Sequence, residues 1–452
     1  MSVESTASPS ATQAPVAHAP AEPADSRPLA MSALTRRGFL RAAGITGLAG
    51  VAASVAVCQA TAAPQWSFGP AGSPGAATAA PSSAASAAPS AHGSMAPSAN
   101  PDLPAGWSDH DLAARNVLRR YVGDLAPALP AIYGDEVFAK LADIMGASEP
   151  YPELEQKPAF AQVPQLVLND ALTPLEPELD GGVKVFRLTV DEIRLAIDEL
   201  KEPIPALGFN GTTPGPTIRV TEGDRIRAIF TNNLQESTGI HFHGEEFEDF
   251  FMDGIPFLTQ KPIAPGDSFT YEFTAGRPGS LMYHSHHNAT DQVGRGLLGA
   301  FVVDPRSAAA DDVFDREYTW ISNDVLGGFT INGHGFPAVV PILAAVGETV
   351  RVRFMNEGIM YHPFHSHGYA QTVVARDGYY LGDAAYDADT ITVGPGERWD
   401  VNIAVDRPGL WAFHCHILPH VEGAHGMFGM VNLLLVVPTA ADVDTIVQAL
   451  LA

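Results

Sequence analysis

Short runs of alternating apolar and polar residues dominate the chain from residue 164 onward. Three of these runs are VKVFRLTV (183–190), TIRVTEGDRIRAIF (217–230) and GETVRVRFMN (347–356), and Gly, Pro, Asn and Asp separate them. A period of two is typical of a strand with one buried face and one exposed face. The pattern predicts an all-β fold made of β-sandwich domains.

The chain before this region has a different pattern. Residues 63–105 are mostly Ala, Ser, Pro and Gly, with too few large apolar side chains to form a core, so we expect a disordered linker. A helical N-terminal extension is predicted over 106–160, and a short helical tail over 439–452. The apolar residues that recur at helical spacing in this extension are Leu112, Val117, Leu118, Tyr121 and Val122.

An export signal is predicted over 1–62. The stretch TRRGFL (35–40) precedes an apolar, Gly/Ala-rich run that ends near Ala62, as in a twin-arginine signal. This interpretation places the protein outside the cell or in the cell envelope. An N-terminal membrane anchor and a lipid on Cys58 are the alternatives. Cleavage after Ala62 would leave Cys415 as the only cysteine. In an exported protein such a thiol must be protected, form a disulfide with another chain or bind a metal.

Size and charge limit the class of partner. A chain of 452 residues, 46% of them hydrophobic, suits two or three globular domains. The formal net charge of -25 would repel phosphate backbones, so nucleic acid is excluded as an expected partner. Cations and neutral organic molecules fit this charge better.

Four His-x-His pairs form an internal repeat. Sixteen histidines would produce only about half of one such pair by chance. The first two pairs lie in one half of the β region and the last two in the other, which predicts two similar domains, 161–306 and 312–438. The eight residues are His241, His243, His284, His286, His365, His367, His414 and His416.

A thiol lies between the two histidines of the last pair. Along a strand, residues i and i+2 point to one face and the residue between them to the other, so Cys415 faces away from its histidine neighbours. Imidazole alone suits copper, zinc, iron or nickel. Cys415 with His420 and His362 would make a His2Cys set, which a thioether completes as a blue-copper electron-transfer site.

Four motifs in this order resemble those of the multicopper oxidases. They are HFHG (241–244), YHSH (283–286), HPFHSHG (362–368) and HCHILPH (414–420), followed by GMFGM (426–430). The resemblance covers about residues 200–437. Only 75 residues separate His286 from His362, too few for a middle domain, so the chain resembles the two-domain, small-laccase type. This resemblance implies two cupredoxin-like Greek-key sandwiches and a homotrimer with copper clusters at its subunit interfaces.

The resemblance also implies four copper ions per chain. His241 and His365 would hold the type 2 copper, and His362, Cys415 and His420 the type 1 copper. Ser285 stands in the first domain where Cys415 stands in the second, so the first domain would have no type 1 copper. The ligands implied for the type 3 pair are His243, His284, His286, His367, His414 and His416.

Two further roles follow from the resemblance. Met427 is the favoured axial ligand of the type 1 copper, with Met430 or no axial ligand as the alternatives. Asp253, in the sequence MDG, resembles an acid that relays protons to the cluster, although Asp-Gly is also a common turn. Leu418 stands where some family members carry a glutamate, so no second proton donor is identified.

The resemblance implies a copper-dependent oxidase. Electrons from phenolic or aromatic substrates would enter at the type 1 copper, near the edge formed by His362 and His420, and would reduce O2 to water at the trinuclear cluster. Cys415 and Asp253 are then the candidate catalytic residues. Three alternatives remain: a metallo-oxidase acting on Cu(I), Fe(II) or Mn(II), a copper nitrite reductase, and a copper carrier without enzymatic activity.

Overall fold

A computed structural model describes residues 128–144, 174–197, 202–307, 309, 313–325, 328–423 and 426–451, which belong to one compact unit. The predicted export signal (1–62), the predicted linker (63–105) and most of the predicted extension (106–160) lie outside the described residues. Within the described ranges, no helix is both long and apolar enough to span a membrane.

The first half of the β region forms a sandwich of two sheets. One sheet has the strand order β1-β2-β5-β7 with β3 paired to β2, and the other has the order β4-β9-β8-β6. The alternation predicted from the sequence is present in β5, where Ile226, Ala228 and Phe230 are buried. The strands are β1 Glu178–Asp180, β2 Val183–Leu195, β3 Ile204–Phe209, β4 Gly215–Thr221, β5 Arg225–Asn232, β6 Ile240–His243, β7 Ser268–Thr274, β8 Gly279–Ser285 and β9 Leu298–Asp304.

The second half forms a sandwich on the same plan. Its sheets have the orders β11-β10-β13-β19-β15-β16, with β17 paired to β15, and β12-β23-β20-β14-β18, and β21 pairs with β22 in a small hairpin. The strands are β10 Arg316–Asn323, β11 Thr330–Ile331, β12 Ile342–Ala345, β13 Thr349–Asn356, β14 His362–Ser366, β15 Gln371–Arg376, β16 Tyr379–Tyr380, β17 Tyr386–Ala388, β18 Thr390–Val393, β19 Arg398–Ala404, β20 Gly409–Cys415, β21 Glu422–Gly423, β22 Gly426–Met427 and β23 Val431–Val437.

Strand pairing brings the histidine motifs together in both sandwiches. In the first sandwich β6 pairs antiparallel with β8, and His241 lies opposite His284. In the second, β14 pairs antiparallel with β20, and His365 lies opposite His414. The internal repeat is therefore present in the register of the strands as well as in the sequence.

Four helices accompany the strands in the described ranges: α1 Leu129–Tyr133, α2 Asp135–Ile144, α3 Ala289–Gln292 and α4 Ala440–Leu451. Leu129 of α1 and Ile446 of α4 join an apolar cluster with Leu343 of β12 and Leu435 of β23. Tyr133 donates a hydrogen bond to the Val436 carbonyl at 2.7 Å. Helices α1 and α4 thus pack against β12 and β23 of the second sandwich. Helix α3 lies in the first sandwich, shortly after the His284–His286 pair.

The two sandwiches share an interface that contains buried ions. Arg353 of β13 is 6% exposed and contacts Glu317 and Asp400 within the second sandwich and Ser280 of the first. Arg219 of the first sandwich forms an ion pair with Glu317 of the second. An apolar cluster packs beside these ions and contains Met282, Leu298, Ala300, Val302, Ile321 and Met355.

Candidate metal centres

Three predicted ligands converge inside the second sandwich. Cys415 Sγ lies 3.8 Å from His362 Nδ1 and 3.7 Å from His420 Nδ1. His362 begins β14, Cys415 ends the neighbouring β20, and His420 ends a 3-10 turn (Leu418–His420) that leads back over the site. Candidate ligand atoms of all three lie within 4.8 Å of one another, and no other such group occurs among the described residues.

These distances fit a single metal ion. Two ligands bound at about 2.0 and 2.3 Å to an ion in trigonal geometry lie about 3.8 Å apart. The sulfur-to-nitrogen distances match this value, and a trigonal His2Cys set is typical of blue copper. The residues present therefore fit a copper ion.

Burial keeps Cys415 and His420 uncharged when no metal is bound. It raises the pKa of the Cys415 thiol to about 11 and lowers the pKa of His420, which also lies near the His362 imidazole, to about 4. At neutral pH the His420 ring is neutral and has a lone pair for a metal. A bound cation would displace the thiol proton and hold the thiolate.

A carboxylate that the sequence did not indicate supports this site. His362 Nε2 donates to Asp324 Oδ2 at 3.1 Å, and the Asp324 side chain also accepts from the N–H groups of Ile359 and Met360. Asp324 fixes the tautomer of His362, leaving Nδ1 free to face Cys415. No motif marks Asp324, because the contact spans 38 residues.

Both candidate axial methionines belong to, or pack against, the core cluster that contains Cys415. Met427 is half-buried on β22 and packs against the core cluster that contains Cys415. Met430 is fully buried, its carbonyl accepts from Cys415 N–H at 3.0 Å, and its N–H donates to the His420 carbonyl at 3.1 Å. The assignment of Met427 as the axial ligand stays a prediction.

The other eight histidines predicted as metal ligands form two quartets, one on each sandwich. The first quartet is His241, His243, His284 and His286, whose neighbouring ring centroids are 5.5 to 6.3 Å apart. The second quartet is His365, His367, His414 and His416, with neighbouring centroids 5.0 to 5.8 Å apart. Each of these contacts joins two histidines of the same quartet. Among the described residues, no ring contact joins a histidine of the first quartet to a histidine of the second.

Backbone carbonyls set the tautomers of four of these rings. Each of the four Nδ1 atoms donates to a carbonyl oxygen at 2.8 to 2.9 Å, which leaves Nε2 as the metal-binding atom. Burial lowers the pKa of His243 to about 3 and that of His284 to about 4, so both rings are neutral at neutral pH. The four rings fixed by carbonyls are His241, His284, His365 and His414.

Asp253 lies beside the first quartet. Its backbone carbonyl accepts from His241 Nδ1 at 2.8 Å, and its Oδ1 lies 3.3 Å from the same nitrogen. The side chain is 36% exposed, so the carboxylate can exchange protons with water. Asp253 also follows the 3-10 turn Phe250–Met252, which agrees with the turn interpretation.

The first sandwich contains a hydrogen-bonded polar group where the second has its thiol. Ser285 is buried and its hydroxyl donates to Gln292 Oε1 at 2.6 Å. Thr238, three residues before His241 as His362 is before His365, donates to the same oxygen at 2.8 Å. These residues offer neither a thiolate nor an imidazole, so they do not fit a blue-copper ion.

Comparison with known proteins identifies the family to which a chain with this geometry belongs. Two multicopper oxidase domain models match residues 193–308 and 313–434. Laccase-2 of Botryotinia fuckeliana is 31% identical over 304 residues, 58% of this chain and 51% of that protein. The iron transport multicopper oxidase FET3 of Gibberella zeae is 42% identical over 162 residues, 35% of this chain and 26% of that protein.

A solved structure also matches. The blue copper oxidase from Nitrosomonas europaea has a TM-score of 0.54 and 31% sequence identity over 56% of this chain and 86% of that chain. The chain spans about half, or less, of the length of the curated relatives it matches first.

The fold and the sites define a two-domain, cupredoxin-like copper protein. The chain belongs to the multicopper oxidase family and is laccase-like. The predicted fold class, all-β with small helical segments, is confirmed.

Proposed function

We propose that this protein is a copper-dependent oxidase that takes single electrons from phenolic or other aromatic reductants and uses four of them, with four protons, to reduce one O2 to two waters. The observation that carries the proposal is the position of Cys415 in a buried His2Cys site, directly between two members of an outward-facing histidine quartet. Copper would supply one-electron transfer at the His2Cys site and oxygen reduction at the quartets.

The protein provides a short electron path between these sites. Cys415 contacts the imidazoles of His362 and His420 on one side of β20, and its peptide bonds lead to His414 and His416 on the other side. His414 Nδ1 also donates to the Cys415 carbonyl at 2.9 Å. One residue thus connects the electron entry site to the oxygen site by covalent bonds and by a hydrogen bond.

We infer that the oxygen site is assembled between copies of the chain. Type 2 copper would use one histidine from each quartet, but the ring contacts join histidines within a quartet only. His286, His367 and His416 are exposed and available to a neighbouring copy. In a closed homotrimer, the first quartet of each protomer would face the second quartet of the next. Every quartet would then have a partner, and all three protomers would make the same contacts.

Exposed apolar side chains beside the first quartet support this assembly. Phe250 and Phe251 are 62% and 52% exposed with ring centroids 4.2 Å apart, and Phe257 is 82% exposed. They flank Asp253, whose carbonyl binds His241. Exposed apolar patches mark interaction surfaces on soluble proteins, and a second copy of the chain would cover this one.

Replacing both Phe250 and Phe251 by Ser tests the assembly. Sedimentation analysis should find a trimer for the unaltered protein and monomers for the double variant. The monomers should keep the intense blue colour of the His2Cys site and lose oxygen consumption. Leu179→Ser, at an apolar position on β1 that is 76% exposed, is the control. A fully active, copper-replete monomer would contradict the trimer.

Asp253 is proposed to deliver protons to the oxygen site. The carboxylate is half-exposed and lies 3.3 Å from His241 Nδ1, between water and the first quartet. We expect Asp253→Asn to slow reoxidation of the reduced enzyme by O2, measured by stopped flow, while bleaching of the blue band by substrate keeps its rate. Equal rates of both half-reactions in the variant and the unaltered protein would exclude this role.

Oxidation of a metal ion is the second candidate function. One relative, which matches 35% of this chain, is described as an iron transport multicopper oxidase. Turnover of Fe(II) and Cu(I), compared with turnover of a phenol under one set of conditions, decides between the two substrate classes.

A nitrite reductase and a copper carrier fit the residues less well. A reductase would need its thiolate in the first sandwich, where Ser285 stands. A copper carrier would need only the His2Cys set, so the eight histidines of the two quartets would have no role.

Metal analysis with visible and EPR spectra is the main test. The oxidase should hold four copper ions per chain, and a carrier would hold about one. Cys415→Ser should retain three, lose the intense blue colour and consume no oxygen. Purified protein that holds copper without this colour would refute the proposal.

A further inference from the structure

Neither imidazole of the His2Cys site reaches the protein surface. His362 is 0% exposed and His420 is 3% exposed. An aromatic reductant in solution therefore cannot contact either ring directly. Under the proposed function, electrons must enter through a residue that covers one of them.

The His362 ring is closed to a reductant on its far side. Its Nε2 donates to Asp324, and the Asp324 side chain is 1% exposed and holds two backbone N–H groups as well. A donor approaching from this direction would meet a buried carboxylate with its hydrogen bonds already made. His362 is therefore not the electron entry point.

The His420 ring has a different cover. The phenyl ring of Phe329 stacks on it, with centroids 3.9 Å apart and planes 18° apart. Phe329 is itself half-buried, whereas His420 is 3% exposed. No residue in the described part of the chain makes a hydrogen bond to His420 Nε2. Of the two imidazoles, His420 is the one covered by a stacked, half-buried aromatic ring, whereas His362 is covered by a buried carboxylate.

The surrounding loop is shaped to hold this stack. A Cβ atom at Gly429 would lie 2.3 Å from the His420 carbonyl oxygen and 3.2 Å from Phe329 Cβ, and Gly429 has a φ of +65°. Only glycine fits that close approach in that conformation. The ring of Phe428 stands beside Phe329, with centroids 6.5 Å apart.

We propose that Phe329 determines substrate specificity by occupying the ring-sized space over His420 that a flat aromatic reductant would otherwise fill. The inference rests on the proposed oxidase function. Stacked phenyl and imidazole rings leave no gap for a second ring, so phenols dock outside Phe329 and electrons cross its ring to reach His420. Removing the ring would open a flat slot against His420 for small aromatic donors.

Phe329→Ala tests the proposal with three reductants. For small phenols we expect kcat/KM to rise about three- to tenfold, because the substrate ring gains the stacking that Phe329 had. For hexacyanoferrate(II), an octahedral ion that does not fit a flat slot, kcat/KM should stay within about twofold of the unaltered value, since it gains no such stacking. A bulky ortho-substituted phenol should also gain less than the small one.

Two control variants separate the aromatic ring from simple packing. Phe329→Leu fills the same space with an apolar side chain and should give no gain with small phenols. Phe428→Ala removes the neighbouring ring, which is not stacked on His420, and should leave the preference among donors unchanged. The blue band and EPR spectrum should be retained in all variants, since Phe329 is not a predicted ligand.

Binding to the copper-free protein provides a readout without turnover. Saturation-transfer NMR with anisole, which resembles a phenol but has no hydroxyl group, should detect binding to Phe329→Ala and none to Phe329→Leu. This measurement also applies if Phe329→Ala fails to take up copper.

Two kinds of result would overturn the proposal. One is an unchanged or lower kcat/KM of Phe329→Ala with small phenols, and the other is an equal gain with all three reductants. Failure of the oxidase function itself looks different, because the unaltered protein would then consume no oxygen with any reductant.

Discussion

Ser285 and Cys415 occupy equivalent positions in the two sandwiches. Each is the last residue of its strand, and the carbonyl oxygen of each accepts a hydrogen bond from Nδ1 of the preceding histidine at 2.9 Å. The backbone plan of the metal site is thus duplicated. The side chains that surround it are not.

Ser285→Cys should therefore fail to create a second blue site. Thr238 stands in the position of His362, so a thiolate at 285 would have no equivalent imidazole partner. The variant should also lose about 0.5–1.5 kcal/mol of stability, because a thiol is a weaker donor to Gln292 Oε1 than the hydroxyl, while Thr238 still donates to that oxygen. The measurements are the intensity of the blue band per chain and a urea unfolding curve.

Cys415→Ser is the reciprocal variant and should lose the whole band. If Ser285→Cys alone doubles the band per chain, the first sandwich contains a ligand set that its side chains do not indicate.

Asp324→Asn should weaken copper binding at the His2Cys site. The carboxylate raises the basicity of His362 through the bond to Nε2, and losing such a partner typically costs about 10- to 100-fold in metal affinity. Competition with a copper chelator, followed by the blue band, measures the change.

Asp383→Asn is the control for a lost negative charge, since Asp383 is exposed on the 3-10 turn Gly382–Ala384. Equal affinity of the Asp324 variant and the unaltered protein would mean that the carboxylate only supports the fold.

Arg353→Met should unfold at lower urea concentration than the unaltered protein. Its guanidinium contacts Glu317 and Asp400 at the interface of the sandwiches, and truncating one partner of a buried ion pair costs about 3–5 kcal/mol. Arg225→Met removes an exposed ion pair with Glu272 and should cost about 1 kcal/mol or less. Similar losses in the two variants would show that the Arg353 contacts are as weak as surface pairs.

Glu357→Gln should reduce the loss of stability that accompanies rising pH. Burial raises the pKa of Glu357 from about 4.5 to about 8, although the Arg398 guanidinium acts in the opposite direction. Between these values the folded protein binds a proton that the unfolded chain releases, so stability falls as pH rises through the folded pKa of about 8. The glutamine variant does not titrate and escapes this loss.

From about pH 5.5 to about pH 8.5 the unaltered protein should lose about 3 kcal/mol more than Glu357→Gln. Urea unfolding at the two pH values measures the difference, and Glu192→Gln, at an exposed position, is the control. Parallel pH profiles for Glu357→Gln and the unaltered protein would contradict a buried, proton-binding Glu357.

Several features were predictable because they depend on neighbouring residues. Alternation in HCH places the thiol and the imidazoles on opposite faces, and the burial of β20 follows this pattern at Phe413, His414 and Cys415. The His-x-His repeat likewise predicted two sandwiches on one plan. Such local patterns are determined by strand geometry, whatever packs around the strand.

Alternation was a poor guide where the sandwiches meet. In β13 the sequence TVRVRFMN predicts an exposed face carrying Arg351 and Arg353, yet both are buried, 3% and 6% exposed. The exposed side predicted for this strand is covered in the folded protein, and for Arg353 the cover includes Ser280 of the first sandwich. A sequence pattern records which residues are polar but not which polar partners will reach them.

By itself, the sequence determined the fold class and the repeat, since both follow from spacing along strands, and its motifs predicted two candidate ligand sets. Only the tertiary structure decided that Asp324 binds His362, that Phe329 covers His420, and that Gln292 joins Thr238 and Ser285. The first two contacts span 38 and 91 residues and the Thr238–Gln292 contact 54. Chain folding alone creates such contacts, because no local pattern encodes which distant loops will meet.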